Sequence, residues 1–431
     1  MKGLGHPKIP STDVLFSREI IDLLNFIQAE GFILTLVGGA VRDYLLYQKI
    51  PDDLDFEIRR PGEESEDAWK NFLTSLADDL RKKFHLKMEF LEFGIFKFFY
   101  HGKNFEFSSP RVELFEEDKK KWNHKDFAVA LLSNLDYPAA FVRRDFTINA
   151  IGFELLENRA MRLIDPLQGV LDLERKVLRP CGSHFFKDPI RFLRLLRFAI
   201  NTGFEISSEI RLKLDQFNLE DLTHSYFLKE AFKTNPLKFF RLFFHHVTQA
   251  FITCNPQLVP LFFLAKDDDV PSEQARQIKD EKSLIVWMIF SKRYLDKNIL
   301  EFAHYAKVNK TFMKNMFGLR DGLMSLLVMD LQPLLSLLTQ AKFGELPEQK
   351  DLVLIGDFYT SYKRSSKQMA AYLPLLPDPL LKRVYQLWEE IFSFYPRDLN
   401  TIGGIPPASR KAYGIFLMLK NYHETRQKLP K

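Results

Sequence analysis

The sequence predicts an α+β protein, with a β-containing N-terminal part followed by a long all-helical remainder. Three observations carry that prediction. First, residues 34–58 read as an apolar strand run, a glycine pair, an amphipathic helix and a second short strand. Second, three more β-rich stretches fall between Leu86 and Phe107. Third, beyond Gly203 the apolar residues recur at helical spacing and strand signals are few.

At 431 residues the chain is long enough for two or three domains and a large core. No stretch approaches the apolar length of a membrane span, and the opening M-K-G-L-G-H-P-K-I-P lacks a signal-peptide core. Cys181 and Cys254 supply neither a disulfide framework nor a metal cluster, which suits a reducing cytoplasm. The net charge of +5 is modest, so a nucleic-acid footprint has to be a local patch. The 42 phenylalanines are expected in the core rather than on a base-stacking surface.

Residues 1–15 read as a loose leader. Ser17 is placed to cap a helix carrying Ile20, Leu23, Leu24 and Ile27 on one face, ending near Gly31. The strand Leu34 to Val37 then runs into Gly38-Gly39 and the helical stretch Ala40 to Tyr47. Glycines admit backbone N–H groups close to an anion, and a helix N-terminus adds partial positive charge, so this is a phosphate-binding arrangement. On the strand Leu54 to Ile58, alternation places Asp53 and Asp55 on one face, with Asp52 pointing away. Two convergent carboxylates beside a phosphate cradle suggest Mg²⁺ held next to a triphosphate.

A helix is expected over Glu66 to Lys83, followed by β-rich stretches Leu86–Phe93, Ile95–Tyr100 and Asn104–Phe107. In the last of these, Glu106 faces away from Phe105 and Phe107. Residues 111–140 are charged, weakly patterned and expected to form a mobile loop. Arg143, Arg144 and Asp145 in R-R-D-F-T-I-N-A, with Asn149, suit phosphate and ribose: guanidinium forks bind phosphate, and a carboxylate accepts from sugar hydroxyls. D-P-L-Q-G at 165–169 reads as a turn, with Asp165 structural. Asp188 followed by Pro189 is a helix start, and Arg191, Arg194 and Arg197 make a basic stripe opposite Leu193, Leu196 and Ile200. The pair His245-His246 is expected as a partly buried helix pair.

These blocks resemble motifs of the polymerase-beta-type nucleotidyltransferase superfamily. More narrowly, they are similar to the branch of bacterial class II tRNA nucleotidyltransferases (CCA-adding enzymes) and bacterial poly(A) polymerases. The resemblance is strong over residues 32–58 and 141–204, partial over 86–113 and faint after 230. It implies a nucleotidyltransferase head with a mixed sheet at 16–152, a helical neck at 153–245 and a helical body and tail at 246–431 that bind RNA. It implies that Asp53 and Asp55 hold Mg²⁺ and that Glu106 is the third catalytic carboxylate. Gly38, Gly39 and Arg42 would cradle the triphosphate, and Arg143, Arg144, Asp145 and Asn149 would read phosphate and ribose. Asp188 and Arg191 would act as an amino-acid template: an acceptor and a donor match the Watson–Crick edges of cytosine and adenine and reject guanine and uracil. Arg194 and Arg197 would face the triphosphate or primer backbone.

The implied substrates are CTP, ATP and the 3′ end of tRNA, in the cytoplasm, with no membrane and no obligate protein partner. A poly(A) polymerase, a CC-only or A-only enzyme and a non-catalytic RNA-binding relative are the alternatives. Arg364, Lys367, Lys382, Arg410 and Lys411 are candidates for tRNA phosphates, and residues 401–421 resemble a C-terminal segment of several relatives. Three positions depart from the family pattern: Tyr47 replaces a glycine, Ile58-Arg59 replaces a small hydroxyl residue, and Lys187 replaces the glutamate that usually positions the template arginine.

Overall fold

The computed structural model describes residues 8–91, 94–114, 128–219, 222–247, 249–266, 276–291, 293–327, 350–376, 379–395, 414–415, 417–419, 421–422 and 425. The chain divides into two compact units, Met1–Glu230 and Ala231–Lys431. The first is α+β and the second, over its described residues, is helical.

Unit 1 is built on a seven-stranded mixed sheet. Its strands are β1 (Ile33–Val37), β2 (Asp53–Arg59), β3 (Met88–Leu91), β4 (Ile95–Tyr100), β5 (Lys103–Ser108), β8 (Gly152–Leu155) and β9 (Met161–Ile164). The order is β3-β4-β5-β2-β1-β8-β9, and only β2 and β5 run parallel. Helices α1 (Thr12–Leu15), α2 (Arg18–Ala29), α3 (Gly39–Tyr47) and α4 (Glu66–Phe84) belong to the same unit. Ser65 caps α4 by accepting from the Ala68 N–H, and Lys and Arg residues close its last turn. In α2 the expected stripe of Ile20, Leu23, Leu24 and Ile27 is buried, and Ser17 precedes it as the N-cap.

Two expectations are corrected here. Residues 8–15 are not a loose leader: Thr12–Leu15 forms α1, Thr12 is buried, and Asp13 pairs with Arg159 at 2.7 Å. Nor is 111–140 one loop, because β6 (Arg111–Leu114) pairs with β7 (Ala128–Leu131) and α5 (Tyr137–Phe141) follows, capped by Asp136. Four-residue strands such as R-V-E-L and A-V-A-L carry little local pattern, and their pairing depends on the partner strand. Residues 115–127 of that region, and 1–7 of the leader, lie outside the described residues.

Beyond the sheet, α6 (Gly169–Arg175) and α7 (Pro189–Thr202) carry the chain onward. Asp165 is structural, as expected: its two carboxylate oxygens accept from the N–H groups of Gly169 and Val170 at 2.6 and 3.0 Å. Gly169 is required by close approach, since a Cβ there would lie 2.1 Å from the Thr147 carbonyl oxygen.

In unit 2 the helix Glu281–Ser291 is buried continuously from Ser283 to Phe290, the mark of a central core helix. The helices Lys310–Leu327 and Lys350–Tyr372 approach closely where Gly322 faces Phe358. Phenylalanines such as Phe239, Phe240, Phe243 and Phe358 are buried in the core, as expected, whereas Phe90, Phe99 and Phe263 are exposed. His245 and His246 stack edge to face at 5.1 Å near the end of a helix, and burial holds the His246 pKa below its ordinary value. Arg364 is exposed and Lys382 half-buried; Arg410, Lys411, the Lys367 side chain and most of 401–421 lie outside the described residues. Among the described residues no helix is long and apolar enough to cross a membrane.

Candidate active site

Two faces of the central sheet do different work. On one, Phe56, Phe105, Phe107, Phe96 and Phe98 stack in a ladder, with neighbouring rings 5.1–6.2 Å apart and nearly parallel. Such cross-strand pairs lock register. With register locked, the other face is determined: Asp53 stands opposite Asn104, Asp55 opposite Glu106, and Glu106 opposite Lys97. Asp53 and Asp55 are exposed on this face, as alternation requires. Asp52 points away and pairs with Lys103 at 2.7 Å.

Asp53 Oδ1 accepts from Asn104 Nδ2 at 2.8 Å. Partial desolvation, reinforced by the charge of Glu106, holds the Asp55 pKa above the ordinary carboxylate range, although the residue keeps an open edge to solvent. Glu106 binds Lys97, Nζ to Oε2, at 2.6 Å. Among the described residues no group of three or more His, Cys, Asp or Glu is gathered closely enough to hold a metal ion. The donor set nevertheless fits a hard cation: acceptor-only carboxylate oxygens, with the charge of Glu106 helping to raise the Asp55 pKa, on a face open to solvent.

The turn from β1 into α3 forms through the glycine pair, as expected. Gly38 adopts φ 76°, ψ −133°, a region closed to other residues, and a Cβ there would meet Arg144 Nη1 at 3.4 Å and Asp55 Oδ2 at 3.7 Å. Glycine thus brings the helix start against the carboxylate and the arginine together. Arg42, one turn into α3, donates from Nη1 to Asn149 Oδ1 at 2.7 Å and pairs with Asp43. At the far end of α3, Gln48 takes the left-handed conformation (φ 56°), so the helix stops without a glycine and Tyr47 remains exposed.

Residues 143–149 pack between the sheet and α7. Arg143 lies 3.8 Å from Glu57, a fully buried residue two positions beyond Asp55 on the same strand. Burial, with the adjacent charges of Arg144 and Arg111, holds the Arg143 pKa down to about 9. Asp145 accepts from the Phe146 N–H and Asn149 Nδ2 on one oxygen and from Arg194 Nε at 2.7 Å on the other. Burial alone would raise its pKa; Arg194, Asn149 and the Phe146 N–H outweigh it and hold the value down to about 2.

Asp188 is the N-cap of α7, accepting from the Ile190 N–H at 2.9 Å, and Pro189 opens the helix as expected. The basic stripe is paired within the protein. Arg191 is 8% exposed and donates from Nη2 to the Arg143 carbonyl at 2.7 Å and to Glu113 Oε2 at 3.4 Å. Arg194 pairs with Asp145, and Arg197 with Glu230 at 2.5 Å. The structure thus brings Gly38, Asp53, Asp55, Glu106 and Arg144 to one region of the central sheet, and joins Arg42, Asp145, Asn149 and Arg194 by hydrogen bonds.

Lys97, Glu113, Asn104 and Glu57 were not singled out by sequence reasoning. A signal existed for Lys97: F-K-F at 96–98 has the same alternation as F-E-F at 105–107. Glu113 carried none, because its strand is visible only once paired with β7.

A mixed sheet thus presents an acid pair beside a glycine turn and a helix start. Residues 34–179 match the family of the poly A polymerase head domain. A CCA-adding enzyme of Streptococcus mutans is 30% identical over 196 residues, covering 44% of this chain and 42% of that protein. A CCA-adding enzyme of Enterococcus faecalis is 27% identical over 331 residues, covering 74% of this chain and 73% of that protein. The chain spans less than half the length of the first curated relatives it matches: 42%, 45% and 44%. Among solved structures, an apo form of a CCA-adding enzyme superposes with a TM-score of 0.61 over 98% of this chain and all (100%) of that one, at 17% identity, which shows a shared fold.

Proposed function

We propose that this chain is a template-independent RNA nucleotidyltransferase that adds C and A, from CTP and ATP, to the 3′ end of tRNA to build CCA. The observation that carries the reading is the convergence of Asp53 and Asp55 on one open face with the positive-φ Gly38, whose Cα-side space is bounded by Asp55 and Arg144. The relatives named above are CCA-adding enzymes, which supports the substrate assignment.

In this reading Asp53 and Asp55 would hold Mg²⁺, with Glu106 completing the set. Bound there, the metal would supply charge stabilisation for phosphoryl transfer and lower the pKa of a primer hydroxyl. Gly38, Gly39 and the helix start of α3 bind the triphosphate through backbone N–H groups and the helix dipole. Arg42, Arg143 and Arg144 add guanidinium charge, Asn149 orients Arg42, and Asp145 with Asn149 faces the ribose hydroxyls. Arg194 steers Asp145, and Arg197 supports α7 through Glu230.

Base choice is assigned to Asp188 and Arg191. Arg191 Nη1 is buried with no hydrogen-bond partner among the described residues, a donor that a cytosine or adenine ring nitrogen would satisfy. The head, neck and body-tail division at 16–152, 153–245 and 246–431 is part of the same proposal, with the helical half as the tRNA-binding part. Free Cys181 and Cys254 fit a reducing compartment, the cytoplasm.

Primer extension tests it, with tRNAs ending at the discriminator base, at C and at CC, beside an unstructured RNA, and each NTP singly and together. Three nucleotides added to the first tRNA and none to the plain RNA is the expected result. Long A tails would establish a poly(A) polymerase instead, and addition stopping after CC, or only A onto CC, a partial enzyme. No incorporation by folded protein would leave an RNA-binding relative.

A further inference from the structure

Lys97 sits mid-strand in β4, and the rings of Phe96 and Phe98 on either side of it join the phenylalanine ladder on the opposite face. In register it stands opposite Glu106, which stands opposite Asp55. Register partners share a face, so the pleat itself places one ammonium and two carboxylates in a single row across three strands. Within that row the Lys97 ammonium reaches Glu106 Oε2 at 2.6 Å, and the charge of Asp55 acts on it as well. Neither side chain is sealed in: Lys97 is 42% and Glu106 32% exposed, so an ion from solvent has access to both.

We propose that Lys97 is a resident counter-cation of the carboxylate row, holding Glu106 in the metal-free protein, so that Glu106 joins a divalent ion at Asp53 and Asp55 only by exchanging its bond to Lys97. Lys97 is then a positioning residue that acts through Glu106 and sets how much metal the site requires. The inference rests on the metal-binding role proposed above for Asp53 and Asp55. Two consequences follow from charge alone. Without metal, the ammonium offsets repulsion among three carboxylates; with metal, it opposes the incoming dication and competes for one of its ligands. A neutral side chain at position 97 therefore shifts the balance toward bound metal.

The test uses the full chain without nucleotide or RNA. Mn²⁺ binding is measured by electron paramagnetic resonance for the native protein, Lys97→Thr, Lys97→Gln, Lys97→Arg and Asp55→Asn, and the rise in Tm on adding Mg²⁺ is recorded for each. Thr suits a strand and Gln keeps the length, so the charge is removed in two different ways. Both neutral variants are expected to bind Mn²⁺ about three- to tenfold more tightly, the range set by a half-exposed ion pair plus relief of cation–cation repulsion. Their Tm is expected to rise more with Mg²⁺ than that of the native protein, while Lys97→Arg stays at or below native affinity. Unchanged or weaker Mn²⁺ binding in both neutral variants, with binding abolished by Asp55→Asn, overturns the role of Lys97 and leaves the metal site standing. No Mn²⁺ binding by the native protein or by the neutral variants overturns both.

Discussion

Arg194 donates from Nε to Asp145 Oδ2 at 2.7 Å, an ion pair that fastens helix α7 to the segment preceding the Thr147–Asn149 turn. Asp145 is almost fully buried and Arg194 keeps 34% of its side chain in solvent. Removing the arginine leaves a buried carboxylate with its remaining partners only. Arg194→Ala is expected to cost about 2 kcal/mol, below the 3–5 typical of fully buried pairs because solvent screens this one. Combining it with Asp145→Asn is expected to cost less than the two single changes added together. Urea unfolding of the three variants measures that coupling.

Acid sensitivity follows from the same carboxylate. The pKa of Asp145 is lowered in the fold to about 2 from the ordinary 3.8. A depressed carboxylate pKa stabilises the fold above its unfolded pKa, and that stability is lost as pH falls through the folded value. The contribution, about 2 kcal/mol, should therefore be complete near neutrality and disappear between roughly pH 4 and pH 2. Chemical denaturation across that window should show a smaller acid-side loss in Asp145→Asn than in the native protein.

Gly38→Ala tests the cradle. The φ of 76° with ψ −133° strains any L side chain, and the added Cβ would touch Arg144 Nη1 at 3.4 Å. We expect a stability cost of about 1–3 kcal/mol together with weakened triphosphate binding. Thermal unfolding and equilibrium binding of CTP read the two effects separately.

Much of this was legible in the sequence because the signals were local. The strand–Gly-Gly–helix pattern at 34–47, the alternation at 53–55 and 105–107, and the Asp188-Pro189 helix start each specify structure within a few residues, and each element formed where expected. The misses were non-local. The β6–β7 pair joins two four-residue strands with 13 residues between their near ends, Leu114 and Ala128, too short and too far apart to show as a local pattern. The pairing of Arg191, Arg194 and Arg197 was not legible because Glu113, Asp145 and Glu230, their partners, come from three other parts of the chain. A periodicity shows which face a residue occupies, not what covers that face.

Asp55 carries an opposite stability signature. Desolvation and the charge of Glu106 raise its pKa, so at neutral pH the ionised carboxylate costs the fold something. Asp55→Asn, which keeps the shape and removes the charge, is expected to raise the Tm of the metal-free protein modestly while abolishing turnover, the trade-off expected of a functional carboxylate. Differential scanning calorimetry checks the first half of that expectation.

The measurement that tests the central claim most directly follows the second half: release of pyrophosphate from CTP in the presence of tRNA ending at the discriminator base and Mg²⁺, for the native chain, Asp53→Asn and Asp55→Asn. The account predicts tRNA-dependent release by the native protein and a fall of at least about a thousandfold in each variant, with the fold retained. Comparable release by either variant, or none by the native chain, would contradict it.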